Sequence, residues 1–301
     1  MSFVFSSFNI DTAVQEKSEL TFGVDLSLLS AQPDCLHSGL GLDTEVECVS
    51  ASYLASAVNA AGEGGFDAVV LSKDFLTRSD HKNATNTYDS IKTMERLYGS
   101  TSASLTAGIS VDSASIDAVC QSFVVENEVR GCVEILADDL RNPQVCTCLE
   151  KLKNNGVKIC VYAQEEDVER YGAATIVRYA STVRLRVADP HKARELRVAL
   201  RLASEDEEKK VDVLCDFFTV VSADRRAANE RVHFMEVLHG SEFLKNKHIV
   251  AGSVYDIADT IEEWVTAGAC DGFVFYPASV STDLASLIRG VLPLVKARGT
   301  L

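Results

Sequence analysis

Apolar side chains gather along this chain in eight short runs, and between the runs they recur at helical spacing. The runs are Phe22–Leu29, Asp67–Ser72, Ala103–Val111, Cys132–Ala137, Val157–Ala163, Thr182–Val187, Val213–Val221 and Gly272–Tyr276, most of them rich in β-branched residues. Continuous apolar runs of this length predict buried strands. The intervening stripes predict helices. Leu54, Ala57, Val58 and Ala61 form one stripe, and Val145, Cys148, Leu149 and Leu152 form another that stops at Asn154-Asn155-Gly156. Asp189-Pro190 supplies a cap and a first-turn proline ahead of Ala193, Leu196, Leu200 and Ala203. Ser253-Val254-Tyr255-Asp256 has the form of a capping box ahead of Ile257, Ile261, Trp264 and Val265, and that helix should end at Gly268. Strands alternating with helices require a parallel sheet covered on its faces, and eight such units close into an α/β fold of the (β/α)8 TIM-barrel type. A doubly wound open sheet is the runner-up. No glycine-rich phosphate loop of the form GxGxxG or GxxxxGK[ST] follows any strand, which removes the usual mark of the open-sheet nucleotide folds.

Composition narrows the picture further. A single barrel domain over residues 1–301 suits this length, and the apolar fraction of 47% with 24% charged residues is that of an ordinary globular protein. The formal charge of −15 repels phosphate backbones and anionic lipid, so neither nucleic acid nor a membrane is expected as a partner. The N-terminal stretch lacks a basic segment followed by an apolar core, and no apolar run reaches the roughly twenty residues of a membrane span, so a cytoplasmic location is expected. The nine cysteines are an odd number and several lie within apolar runs, as buried thiols would. Cys146 and Cys148 stand two apart on a helix and point to different sides, so no metal site is expected of them.

In a barrel of this type the active site forms where the strands end, so the residues just after each strand are the candidates. They are Ser27, Ser72, Lys73, Asp74, Ser110, Asp112, Asp138, Asp139, Gln164, Asp189, Ser222 and Tyr276. The loop from Ser72 to Lys82 is the densest in ionisable groups. Within it His81 is a candidate general base beside Asp80 or Asp74, against the plainer reading of a solvated loop histidine. A second oddity is charge inside strands, at Asp25, Glu134, Arg184, Arg186 and Asp216. Arg184 and Arg186 share one strand face; if that face is the barrel interior they need carboxylates, and Glu134 and Asp216 are the natural ones. Two readings stay open: a salt-bridge network that fills the barrel, or an anion site for substrate.

The run from His248 to Pro277 carries Gly252-Ser253-Val254, then Glu263-Trp264, then Gly268-Ala269-Cys270-Asp271-Gly272-Phe273 and a proline after the last strand. It resembles the closing segment of the bacterial-luciferase-like flavin monooxygenases, with the nitrilotriacetate and dibenzothiophene-sulfone monooxygenase subgroup nearest. The end of the chain, Leu287 to Gly299, is similar to that family's terminal helix, and Val213–Ala228 and Ala60–Asp74 resemble its seventh strand and its first helix with second strand. The resemblance implies a luciferase-like barrel, reduced FMN, supplied by a separate flavin reductase, and dioxygen acting on a small organic substrate. It also implies flavin contacts at Asp74 and Ser110, and it leaves a homo-oligomer open. Two departures matter. The family's long insertion after the fourth strand is missing, because Asp138-Asp139 leads directly into a short helix. Where the family holds the FMN phosphate with Ala-Gly-Ser-Ser after the fifth strand, this chain has Ala163-Gln164-Glu165-Glu166-Asp167, and no Arg or Lys in that loop offsets the acids. FMN binding is therefore expected to be weak or absent, with the phosphate as the point of failure. The alternative function is a non-catalytic, flavin-poor barrel homologue that serves as a subunit or binding protein.

Overall fold

The computed structural model describes residues 20–26, 51–71, 90–108, 122–125, 128–129, 131–205, 210–239, 244–245 and 247–299. Their strands, in chain order, are β1 (Thr21–Asp25), β2 (Ala68–Leu71), β3 (Ser104–Gly108), β4 (Val124–Val125), β5 (Glu128–Val129), β6 (Cys132–Leu136), β7 (Lys158–Gln164), β8 (Thr182–Arg186), β9 (Asp212–Val221), β10 (Ile249–Gly252) and β11 (Gly272–Pro277). Eight of them close a parallel barrel in the order β1, β2, β3, β6, β7, β8, β9, β11 and back to β1. Each of the eight apolar runs read from the sequence contributes one barrel strand. The open-sheet alternative is excluded by the pairings of β1 with β11 and of β8 with β9.

Two strand pairings had no counterpart in the sequence pattern. β4 and β5 form a two-residue antiparallel hairpin, too short to carry a period. β10 is a ninth parallel strand. The ten residues of β9 outrun their neighbour: Asp212–Cys215 pair with β8, and Phe218–Val221 pair with β10 on the same edge. β10 thus replaces β8 beside β9 at the C-terminal end of the barrel, and it brings Lys247 and His248 to that end.

The helices form where the stripes require them. Ala51–Glu63 buries Leu54, Ala57, Val58 and Ala61, and Pro143–Asn154 buries Val145, Cys148, Leu149 and Leu152. Pro190–Glu205 follows the Asp189 cap, whose Oδ1 accepts from His191 N at 2.9 Å, and Val254–Thr266 begins with the Ser253/Asp256 capping box. Outward strand residues such as Phe22, Val24, Val133, Ile135, Phe217, Phe273 and Phe275 join these helix faces in one continuous core. At about 25 cal/mol per Å² of apolar surface removed from water, this layer supplies most of the driving force for folding. The last segment winds through π-helical turns at Val280–Leu284 and Leu287–Val291 before the α-helix Leu292–Ala297. Among the described residues no helix is long and apolar enough to cross a membrane.

The seam of the barrel depends on one glycine. A Cβ at Gly272 would lie 2.1 Å from the carbonyl oxygen of Thr21, the residue paired with it across β1 and β11. No other side chain lets the two backbones come together there.

Candidate site at the barrel mouth

Period-two alternation sends Asp25, Glu134, Arg184 and Asp216 into the barrel, above a small apolar plug of Val70, Leu214 and Val274. Their side chains are 0%, 6%, 1% and 3% exposed, so the charges are effectively out of water. Arg184 spends its guanidinium on all three acids: Nη2 donates to Asp25 Oδ2 at 2.7 Å, Nη1 to Glu134 Oε2 at 2.8 Å, and Nε to Asp216 Oδ1. The paired network expected for Arg184 is present, and Asp25 joins the two carboxylates named for it. Burial pushes Glu134 above the usual carboxylate range, against the pull of Arg184, and burial also raises Asp216. This layer closes the bottom of the mouth.

Arg186, one step further along the same face, is different. It is 20% exposed, and its nearest acid is Asp216, at 3.8 Å from Nη2 to Oδ2. The carboxylate expected for Arg186 is present in Asp216, but at longer range, because Arg184 takes the close contact with that acid. Tyr162 and Tyr276 stack against both arginines. The Arg184 guanidinium lies 4.6 Å from the Tyr276 ring centre and that of Arg186 lies 5.1 Å from Tyr162. The Tyr162 hydroxyl is buried and has no hydrogen-bond partner among the described residues. Lys247 completes the rim, its Nζ 5.9 Å from the Phe218 ring. Partial burial, reinforced by the charge of Arg186, lowers the Lys247 ammonium to about 8.

Of the described residues among those expected after the strands, most are occupied locally. Asp138 accepts from the Tyr171 hydroxyl, and Asp139 accepts from Leu136 N. Asp189 caps a helix; Ser222 accepts from Arg231 Nη1 at 3.4 Å. Tyr276 alone among them belongs to the interior layer. Glu165–Tyr171 is a helix whose first turn is Glu165, Glu166 and Asp167, with Asp167 Oδ2 accepting from Gln164 N at 2.9 Å. Lys192, from the next helix, meets Glu165 at 3.4 Å and Glu169 at 3.1 Å, so the acid there is partly offset from outside the loop. The helix N-terminus is nonetheless filled by the protein's own carboxylates, and these residues do not fit a phosphate dianion. Ser27, Ser72, Lys73, Asp74, Asp80, His81, Ser110 and Asp112 lie outside the described residues.

Lys247, Tyr162 and Phe218 were missed in the sequence. Tyr162 was within reach, because Glu134 is in register with Cys160 and Tyr162 with Arg184, which fixes its inward parity. Lys247 was not, since it precedes a strand of four residues that the pattern did not reveal.

The fold is a (β/α)8 barrel whose interior holds this layer of buried charges. No protein-family model matches the chain, and no curated protein does. Solved structures do match over nearly the whole of both chains. A riboflavin lyase, solved with modified FMN and the substrate riboflavin, is 12% identical with a TM-score of 0.69, over 94% of this chain and 92% of that one. The EDTA monooxygenase of Chelativorans sp. BNC1 is 13% identical with a TM-score of 0.67, over 93% of this chain and 94% of its own. A long-chain alkane monooxygenase is 10% identical with a TM-score of 0.65, over 93% and 92%. At such identities the likeness is one of fold: the chain shares its (β/α)8 barrel with these structures.

Proposed function

We propose that this chain is a flavin-dependent oxidoreductase of the luciferase-like group, acting on a small organic substrate at the barrel mouth. The observation that carries the proposal is the agreement of two independent signals: the His248–Pro277 motif in the sequence, and the barrel shared with a riboflavin lyase and two monooxygenases over more than nine-tenths of each chain. When bound, reduced flavin would supply the reaction with dioxygen. The chain's own part is to give that chemistry a rigid floor, the Arg184 layer, and a rim of cations and aromatic rings that orients a substrate. Asp74 and Ser110 are proposed as flavin contacts, His81 as a weak candidate base, and a separate reductase as the source of reduced flavin. The acidic turn at Glu165 favours flavin binding that does not depend on the phosphate.

The test is whether flavin binds the native protein. A ligand specific to the folded state raises apparent stability by RT ln(1 + [L]/Kd), about 2.7 kcal/mol at a hundredfold excess over Kd. Riboflavin or FMN should therefore raise the melting temperature, and a flavin reductase with NADH should then support oxygen uptake that responds to added organic substrates. No shift with either flavin would overturn the proposal and leave the non-catalytic homologue.

A further inference from the structure

β10 is held on one edge: among the described residues its strand neighbour is β9 alone. The contact opens at His248, whose carbonyl oxygen accepts from Phe218 N at 2.8 Å just ahead of the pairing of Ile249 with Phe218. The His248 side chain turns to the outer core. Its ring centre lies 5.1 Å from that of Phe217 and 5.1 Å from that of Trp264, and those two buried rings meet edge-on at 5.0 Å. The imidazole therefore pins the start of β10 where β9 exchanges β8 for its new partner.

This slot suits the uncharged ring. His248 Nε2 is sealed from solvent and has no hydrogen-bond partner among the described residues, so an imidazolium N–H there would lose water and gain no acceptor. The groups facing the ring from the packed elements are Phe217 of β9 and Trp264 of the helix Val254–Thr266, neither of them charged. Charged neighbours face elsewhere: Asp216 is held by Arg184 in the barrel interior, Lys247 lies over the Phe218 ring, and Glu262 and Glu263 are exposed. Burial alone lowers the imidazole from its ordinary value. The attraction of a cation for aromatic faces opposes that lowering and is the smaller effect.

We propose that His248 is an acid-sensitive latch in the wall of the barrel mouth: neutral, it pins β10 against β9, and protonated, it leaves the slot between Phe217 and Trp264 and lets β10 detach. The released ring titrates near the ordinary histidine value of about 6.5 and the docked ring below it. Docking is thus at full strength above that value, weakens as the pH falls through it, and levels off below the docked one. A single proton changes the ratio of docked to released β10 by at most about tenfold per pH unit. A strand with one sheet neighbour is the kind of unit that opens ahead of the rest of a fold. The latch needs no flavin, so it stands apart from the function proposed above.

Trp264 is the chain's one tryptophan and adjoins the latch. Its emission in the full-length protein is followed as the pH is lowered from above to below the ordinary histidine value, and hydrogen exchange of the β10 amides, corrected for its intrinsic pH dependence, is measured over the same range. The wild type should shift reversibly to the red in the acid half of the range, and β10 protection should fall by up to about tenfold per pH unit while β1 and β7 stay protected. His248→Phe keeps an aromatic ring in the slot and removes the titration, so both readouts should stay flat. If His248→Phe fails to fold, His248→Gln decides, with the same flat response expected. Absence of a red shift in the wild type, the same shift in the variant, or a red shift with unchanged β10 protection overturns the proposal.

Discussion

The two ends of the barrel solve opposite charge problems. At the N-terminal base, Asp271 just before β11 is one carboxylate with two arginines: Oδ1 accepts from Arg197 Nη2 and Arg201 Nη2, both at 2.6 Å, and Oδ2 accepts from Val213 N at 2.9 Å. Beneath the mouth, Arg184 is one arginine with three carboxylates. The base over-supplies its acid with donors, and the Asp271 carboxyl stays below the usual range although burial opposes it. The mouth over-supplies its arginine with acids, and burial lifts Glu134 and Asp216. A satisfied group adds rigidity. The two buried layers thus differ in which partner is in surplus, the arginines at the base and the carboxylates beneath the mouth.

Arg184→Met should break the comparison most severely, because it strands three buried acids at once. A loss of about 3–5 kcal/mol is expected at pH 7. The variant should regain stability as the pH is lowered, since Glu134 and Asp216, already raised by burial, then take up protons. Chemical denaturation as a function of pH measures this, and an unchanged variant would show the network to be ornamental. Asp271→Asn comes next, with a loss of about 2–3 kcal/mol from charged hydrogen bonds. Its sign with pH is opposite. The folded pKa of Asp271 is depressed, so its contribution is present above its unfolded value and is lost as pH falls through the folded one. The wild type should show that acid-sensitive component and Asp271→Asn should lack it.

Glu134→Gln is the mild case. It keeps the shape and the acceptor for Arg184 but removes one surplus charge, so stability at pH 7 should change by no more than about 1 kcal/mol in either direction. Arg186→Met should be equally mild in melting temperature, since its one acid contact is long and partly solvated. A loss as large as that of Arg184→Met would erase the distinction between floor and rim.

The barrel was legible because buried parallel strands and amphipathic helices each leave their own period, and all eight strands did so. The short hairpin at Val124–Val129 and the strand Ile249–Gly252 left none. The Arg184 network was legible from parity, since only an interior position explains Asp25, Glu134 and Arg184 within apolar strands. The rim was less so. Whether Arg186 or Arg184 would hold Asp216 depends on how far each strand rises toward the mouth, and the shear of a closed barrel is not written in any one strand. Lys247 reached the rim only through the unforeseen strand that replaces β8 beside β9.

The function proposed above requires the mouth to take up flavin although the turn at Glu165–Asp167 does not fit a phosphate. Quenching of flavin fluorescence on titrating the purified protein with riboflavin and with FMN tests it most directly, alongside the Glu165→Ser/Glu166→Ser double variant. Riboflavin should bind at least as tightly as FMN to the wild type, and the double variant should bind FMN more tightly while riboflavin is nearly unaffected. Binding of neither flavin, or FMN binding far tighter than riboflavin in the unmodified protein, would contradict the account.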